Sequence, residues 1–306
     1  MELHQLRYFV AVAETENFTR AAERAHVSQP SLSQQILKLE QEIGHKLFHR
    51  LGRKAVLTEA GVAFLERARR ILFEVENAAK ELGDHPNLGR RITVGAVQTV
   101  MPYLMTPFIG QLRESHPNLL VDAQEDFRFN LVRGVVEGDL DLAIVPLPVK
   151  DHRLSIESLL IEPLLLVVGK KHPITARSEI GIKDLAEETF VSLGDSSALA
   201  AQVRVFFGDQ KFQPRIGFRC AQVATLKQFI SSGLGISLLP QLARLPEDRD
   251  ALTYLKLTGS EPTRELVVIR HLQRYQSRGA EQFLSLLRDH VRTRADASDD
   301  AELKKP

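Results

Sequence analysis

Apolar positions in the first third of the chain recur at intervals of three and four residues, and from about residue 91 they give way to short apolar runs alternating with helical segments. Leu3, Leu6, Val10 and Ala13, with Phe9 beside them, predict an amphipathic helix between Met1 and Glu16. Asn17 is placed to cap a second, short helix through Ala25, whose Phe18, Ala21, Ala22 and Ala25 form a face small enough for another helix to approach closely. After a turn at His26 and Val27, Ser28 caps a third helix with Pro30 in its first turn. Leu32, Ile36, Leu39 and Ile43 give that helix one apolar stripe. Gln29, Ser31, Ser33, Gln34 and Lys38 lie off the stripe. Two helices joined by so short a turn, with a third in front, have the form of a helix-turn-helix. A helix entering the major groove presents its N-terminal residues to base edges, where Gln and Ser hydrogen-bond and Lys reaches phosphate. Taken alone, the segment reads equally as an amphipathic helix with a solvated face.

The stretch KLFHRLGRKAVLT holds two apolar runs separated by a basic, glycine-containing turn, the pattern of a β-hairpin wing. Arg50, Arg53 and Lys54 fall at or near its tip, suited to phosphates or a minor groove, or else to a solvated loop. Thr58 caps the next helix, with Glu59 in its electropositive first turn. Leu65, Ala68, Leu72, Val75, Ala79 and Leu82 then form a heptad-like seam. Such a seam calls for a partner, either the chain's own second domain or, as expected here, a second copy. GDHPNLGRR breaks the helix as a hinge.

Beyond the hinge, ITVGAV, LLVDAQE, LDLAIVP, PLLLVVG, TFVSL, IGFRC, GISLLP and LVVIR predict strands of an α/β region, largely parallel. Ligands in such sheets bind past the carboxyl ends of strands, near helix N-termini. Gln98 and Thr99 follow the first strand and precede a proline-containing helix toward Glu114. Ser196 and Ser197 follow TFVSLGD and precede a helix through Phe206. Arg128 follows LLVDAQEDF and supplies a positive charge. Each also has a plain structural reading: Thr99 and Ser196 as helix caps, Arg128 as a solvated surface residue.

Composition narrows the class. At 306 residues, 43% hydrophobic and 26% charged, the chain is expected to form two or three globular domains. A net charge of +1 means that nucleic-acid contact has to come from local charge placement. No basic segment followed by an apolar run opens the chain and no run reaches the length of a membrane span, so no membrane association and a cytoplasmic location are expected. The single cysteine, Cys220, excludes an intrachain disulfide and a thiolate metal cluster, and FRCAQV reads as a strand end with a buried structural thiol. His26, His45 and His49 lack metal-ligand spacing, so no metal, cofactor or catalytic residue is expected.

The run from Leu6 to Gly61, including FTRAAERAHVSQPSLSQQILKLE, the LF-R wing and LTEAG, resembles the N-terminal signature of LysR-type transcriptional regulators. The resemblance implies an α+β winged helix-turn-helix DNA-binding domain (1–58), a linker or dimerisation helix with hinge (59–90), and an α/β effector domain (91–293) of periplasmic-binding-protein-like fold. Its first subdomain would span about 91–161 and 264–293 and its second about 162–263, with a final helix over 276–292 and a disordered tail over 294–306. It further implies DNA contacts at Thr19, Arg20, Gln29, Pro30, Ser31, Ser33, Gln34, Lys38, Arg50 and Arg53. Base readout would fall to Gln29, Ser33 and Gln34, with Arg53 at a minor groove. Effector contacts would fall at Gln98, Thr99, Arg128, Ser196 and Ser197, between the subdomains. Partners implied are double-stranded promoter DNA, a small effector such as a carboxylate or other anion, a second copy giving dimers and then tetramers, and RNA polymerase for an activator. FRCAQVATLKQFISSGLGISLLP is similar to the peroxide-sensing branch, but that branch's cysteine pair is missing, which argues against thiol-disulfide sensing. Two other classes were weighed. A solute-binding protein would lack sequence-specific DNA binding, and an enzyme would need a triad, phosphate loop or metal set that the sequence does not offer.

Overall fold

The computed structural model describes residues 1–51, 54–83 and 90–303, of which 50, 51, 76, 79–83, 90 and 295–303 by backbone alone. The chain divides into two compact units, Met1–His85 and Pro86–Pro306.

The first unit comprises α1 (Leu3–Thr15), α2 (Phe18–Arg24), α3 (Gln29–Ile43), β1 (Phe48–Leu51), β2 (Lys54–Leu57) and α4 (Glu59–Gly83). Its ends are set by the residues that the pattern indicates. The Asn17 side chain accepts from the backbone N–H of Thr19 and Arg20, Ser28 Oγ accepts from Ser31 N, and Gly44 closes α3 in the left-handed region at φ 77°. Leu6, Phe9 and Val12 of α1 meet Ala21 and Ala22 of α2 and Leu32, Ile36 and Leu39 of α3 in one core. The strands pair antiparallel from Phe48↔Leu57 to Leu51↔Lys54, forming the expected hairpin.

In the linker helix, Ala68 is buried in the core of its own unit, and Phe64, Leu65 and Leu72 pack partly against that core. They do so because α4 starts directly behind β2 and lies along α1. Val62 is 57% exposed and Ile71 36%, so the outward apolar positions of this helix are other ones. The side chains of Ala79 and Leu82 are outside the described part.

The second unit follows as β3 (Arg90–Ala96), α5 (Thr106–Ser115), β4 (Leu119–Glu125), α6 (Arg128–Glu137), β5 (Leu142–Pro146), β6 (Leu154–Gly169), β7 (Thr189–Leu193), α7 (Ala198–Asp209), β8 (Arg215–Cys220), α8 (Val223–Ser231), β9 (Ser237–Pro240), β10 (Leu252–Leu255), β11 (Thr263–His271) and α9 (Arg278–Leu303). β3 lies between β4 and β5 and parallel to both, and β7 is parallel to β8. β11, however, enters between β5 and β6 and runs against both, so the sheet is mixed where a largely parallel one was expected. β6 is a single strand with two sets of neighbours: Leu154–Pro163 pair with β11, and the residues after Pro163 pair with β9 and β10. One core gathers Ile92, Val94, Ile144, Val268 and Phe283, and another gathers Leu166, Phe190, Phe207 and Ile236.

Three local features differ from expectation. A π-helical turn, Met101–Met105, precedes the helix that contains Pro107. The four-residue β10 has too short and too mixed a pattern, LTYL, to stand out. The final helix runs past Arg292 to Leu303, so the expected disordered tail is helical that far, as its Ala, Glu and Leu content favours; residues 304–306 lie outside the described part.

The approach of α4 to the chain before the wing generates a test. A Cβ on Gly61 would stand 2.1 Å from the Leu47 carbonyl oxygen, so backbone meets backbone there and nothing flexible can yield. Gly61→Ala is expected to destabilise the first unit by about 1–3 kcal/mol. Urea unfolding followed on that unit should show the loss, and an unchanged midpoint would contradict the packing.

Candidate nucleic-acid interface and ligand cleft

The N-terminal half of α3 is presented from a rigid base. Gln5, buried on α1, donates through Nε2 to Gln35 Oε1 (3.1 Å). Glu40, also buried, accepts at Oε1 from the N–H groups of Leu47 (2.7 Å) and Phe48 (3.2 Å). The first contact ties α1 to α3 and the second ties α3 to the wing, both in low dielectric, where a satisfied hydrogen bond is costly to break.

On this base Gln29, Pro30, Ser31, Gln34 and Lys38 are exposed and Ser33 is half-buried. Thr19 and Arg20 are exposed on the first turn of α2, so these expected contacts share the region where α2 meets α3. Among the described residues Arg20 and Lys38 have no ion-pair partner, which leaves their charges available to phosphate, whereas Arg24 is paired with Glu14. Arg50 is described by backbone alone, on β1, and Arg53 lies outside the described residues. Together the surface can offer amide and hydroxyl groups to base edges and cations to a backbone.

In the second unit, the turn after β3, the start of α6 and the start of α7 converge. Gln98, Thr99, Arg128 and Ser197 line one small cleft there, with Asp126, Phe127 and Leu199. Ser196 does not line it and is exposed instead. The space is about 10 Å³, room for one water molecule. Asp126 Oδ1 accepts from Phe127 N and from Asn130 Nδ2, fixing the start of α6. Arg128, half-buried in that first turn, donates to the Pro146 carbonyl at 3.4 Å. Neither serine's hydroxyl caps α7: Ser197 is the N-cap residue, and its side chain makes no capping bond.

Thr99 is 4% exposed and is no helix cap. Its Oγ1 accepts from Arg264 Nη1 at 2.6 Å and its carbonyl from Nη2 at 3.1 Å. Arg264, fully buried on β11, also donates through Nε and Nη2 to Glu162 Oε1 (2.9 and 2.7 Å). Glu162 Oε2 in turn accepts from Leu242 N at 2.7 Å. Burial lowers the Arg264 pKa from its usual value, while Glu162 pulls it back up, and a guanidinium stays charged under such opposition. Sequence reasoning missed both partners, although a charged residue inside each apolar strand, in IEPLLL and TRELVVIR, was a signal.

Cys220, expected to be buried, is half-buried at the end of β8; its Sγ donates to the Ser192 carbonyl at 3.6 Å, and burial raises its pKa. It is therefore a thiol of low reactivity. Among the described residues no group of His, Cys, Asp or Glu is arranged to hold a metal.

The comparisons with known proteins agree with this division. The lysR family of bacterial regulatory helix-turn-helix proteins matches residues 3–62, and the LysR substrate binding domain matches 86–292. The chain is 35% identical over 309 residues to the DNA-binding transcriptional dual regulator OxyR of Escherichia coli (strain K12), covering 99% of each chain. It is 35% identical over 242 residues to the Hca operon transcriptional activator HcaR of the same organism, covering 78% of this chain and 82% of that one. A full-length OxyR variant from Pseudomonas aeruginosa superposes with a TM-score of 0.69 at 28% identity, over 95% of each chain.

The buried pair yields a sign-specific expectation. Removing one charge leaves the other unpaired in the interior, so Glu162→Leu and Arg264→Leu should each destabilise the second unit by about 3–5 kcal/mol. The double variant Glu162→Leu with Arg264→Leu should cost less than the sum of its two single changes, because the orphaned charge is gone. Additive losses in a double-mutant cycle would show that the pair is not coupled.

Proposed function

The chain belongs to the LysR family of bacterial transcriptional regulators, and on that premise we propose that α3 reads promoter DNA while a small anionic effector occupies the cleft at Thr99. The observation that carries this reading is the exposed, uncharged leading edge Gln29–Gln34 held on a fully packed three-helix core. Gln29, Ser33 and Gln34 contact bases, while Thr19, Arg20, Pro30, Ser31, Lys38, Arg50 and Arg53 contact backbone or, at Arg53, a minor groove. The exposed Val62 and Ile71 support self-association through α4, which places two reading helices on half-sites about 10 bp, or a multiple of it, apart. Dimers pair further into tetramers, and an activating form contacts RNA polymerase.

The effector domain begins near residue 91, with its two subdomains exchanging chain near 161–163 and 263. Gln98, Thr99, Arg128 and Ser197 are the effector contacts, and the exposed Ser196 lies outside the cleft. Arg128 and the nearby N-terminus of α6 favour an anion such as a carboxylate. The protein acts as a regulator and not as an enzyme, and works in the cytoplasm; among the described residues no helix is long and apolar enough to cross a membrane. With one cysteine, this chain has no pair for thiol-disulfide sensing within a single copy.

Gel-shift titration at fixed salt separates the two kinds of DNA contact. Gln34→Ala should cost about 1–3 kcal/mol at one base position and relax preference there, whereas Lys38→Ala should weaken all sequences alike and reduce the salt slope by about 1. If neither variant changed binding to a preferred fragment, α3 would not be the reader. For the cleft, a thermal-shift screen of small carboxylates is expected to give a stabilising hit. That shift should vanish in Arg128→Ala and Gln98→Ala; a shift retained in both would place the effector elsewhere.

A further inference from the structure

α7 has a different space on its other side. Between it, β7, β8 and the loop at Phe212–Pro214 lies a cavity of about 730 Å³, within the range of small-molecule sites and far larger than the cleft at Thr99. The two are separate spaces that share Leu199 as a wall.

The inner part of this cavity is aromatic. Phe190 and Phe207 are each 2% exposed, with ring centroids 5.3 Å apart and edge to face, and Phe212 lies 5.1 Å from Phe207. Val203 and Ile216 extend the apolar lining. The space is open to solvent, and its half-buried apolar lining, Val203, Phe212 and Ile216, offers contact that a ring or acyl chain would gain on leaving water.

Its mouth is charged. Arg204 and Arg219 line it together with Asp195, and two guanidiniums against one carboxylate leave one net positive charge. Arg204 is held to Asp195 at 2.5 Å, whereas Arg219 is exposed and has no ion-pair partner among the described residues. A planar guanidinium beside an apolar slot matches a carboxylate bidentately.

We propose that this cavity is a second small-molecule site, separate from the Thr99 cleft, that takes a hydrophobic monocarboxylate. Its apolar body lies against Phe212, Val203 and Ile216, over the packed Phe190 and Phe207, and its carboxylate meets Arg219 and Arg204. The site differs from the cleft in volume and in the aromatic side chains at its floor.

The test uses 2-naphthoate and its uncharged amide, 2-naphthamide, as probes on the full chain, followed by probe fluorescence, which no tryptophan of the protein obscures. Naphthoate should bind about 10-fold more tightly than the amide. The double variant Arg204→Gln with Arg219→Gln, at exposed positions that do not support the core, should bring naphthoate down to the amide's affinity and leave the amide unchanged. Val203→Phe should abolish both by filling the cavity. Gly208→Leu should weaken both, since it crowds the mouth at a position where a Cβ meets no atom within 4 Å and folding is spared. Arg128→Ala, in the cleft, should change nothing. No binding of either probe at millimolar concentration would overturn the site. Binding lost in Arg128→Ala and kept in the cavity variants would place the probe in the cleft instead. Equal affinity for both probes, unaffected by the arginine variants, would overturn the carboxylate assignment.

Discussion

One buried carboxylate holds the reading head together. Glu40 sits on the inner face of α3 and spends one oxygen on two backbone N–H groups of the segment that leads into the wing. The two N–H groups that donate to it offset the cost of burying the carboxylate, and the carboxylate in turn satisfies both donors. The result is that α3 and the wing are fixed to one another by main-chain hydrogen bonds, not merely by apolar contact. Base readout needs this, because side chains of two or three rotatable bonds can discriminate bases only from a helix whose position on the duplex is fixed. The short helix α2, with Ala21 and Ala22 at its contact face, brings its own N-terminal residues alongside the leading edge of α3.

The second unit uses the same device on a larger scale. Arg264 and Glu162 stand on β11 and β6, opposite each other where β6 changes neighbours, and join Thr99 on one side to the Leu242 N–H on the other. Every polar atom of this pair that is described is spoken for, which offsets the desolvation of two charges. A ligand competing for the Thr99 hydroxyl therefore acts on a group already wired to both crossing strands. The α7 start adds a further constraint, since its first turn bounds the cleft while its body bounds the larger aromatic cavity.

Much of this was legible in the sequence, and the failures have physical causes. The caps at Asn17, Ser28 and Thr58 and the stripe Leu32, Ile36, Leu39 are local signals, and they fall where the residues indicate. Gln98, Thr99, Arg128 and Ser197 were brought together by the rule that ligands sit past strand ends, while Ser196, one residue away, points outward because the chain turns into α7 there. Heptad spacing in the linker helix states that a face is apolar, not which surface covers it, and the core of the first unit covers Ala68 fully and Leu65 and Leu72 in part. Strand direction was misjudged for β11 because an apolar run carries no information on its neighbours' polarity. Arg264 and Glu162 were overlooked since they lie 102 residues apart and only the fold pairs them. The aromatic cavity was invisible for the same reason, its phenylalanines reading simply as core.

Reading of base sequence by α3 in a paired arrangement is tested by DNase footprinting of the full chain on fragments enriched from genomic DNA. Two protected half-sites are expected, their centres about 10 bp, or a multiple of it, apart, surviving salt concentrations that strip non-specific binding. Uniform protection that disappears with salt, with no half-site on any fragment, would contradict it.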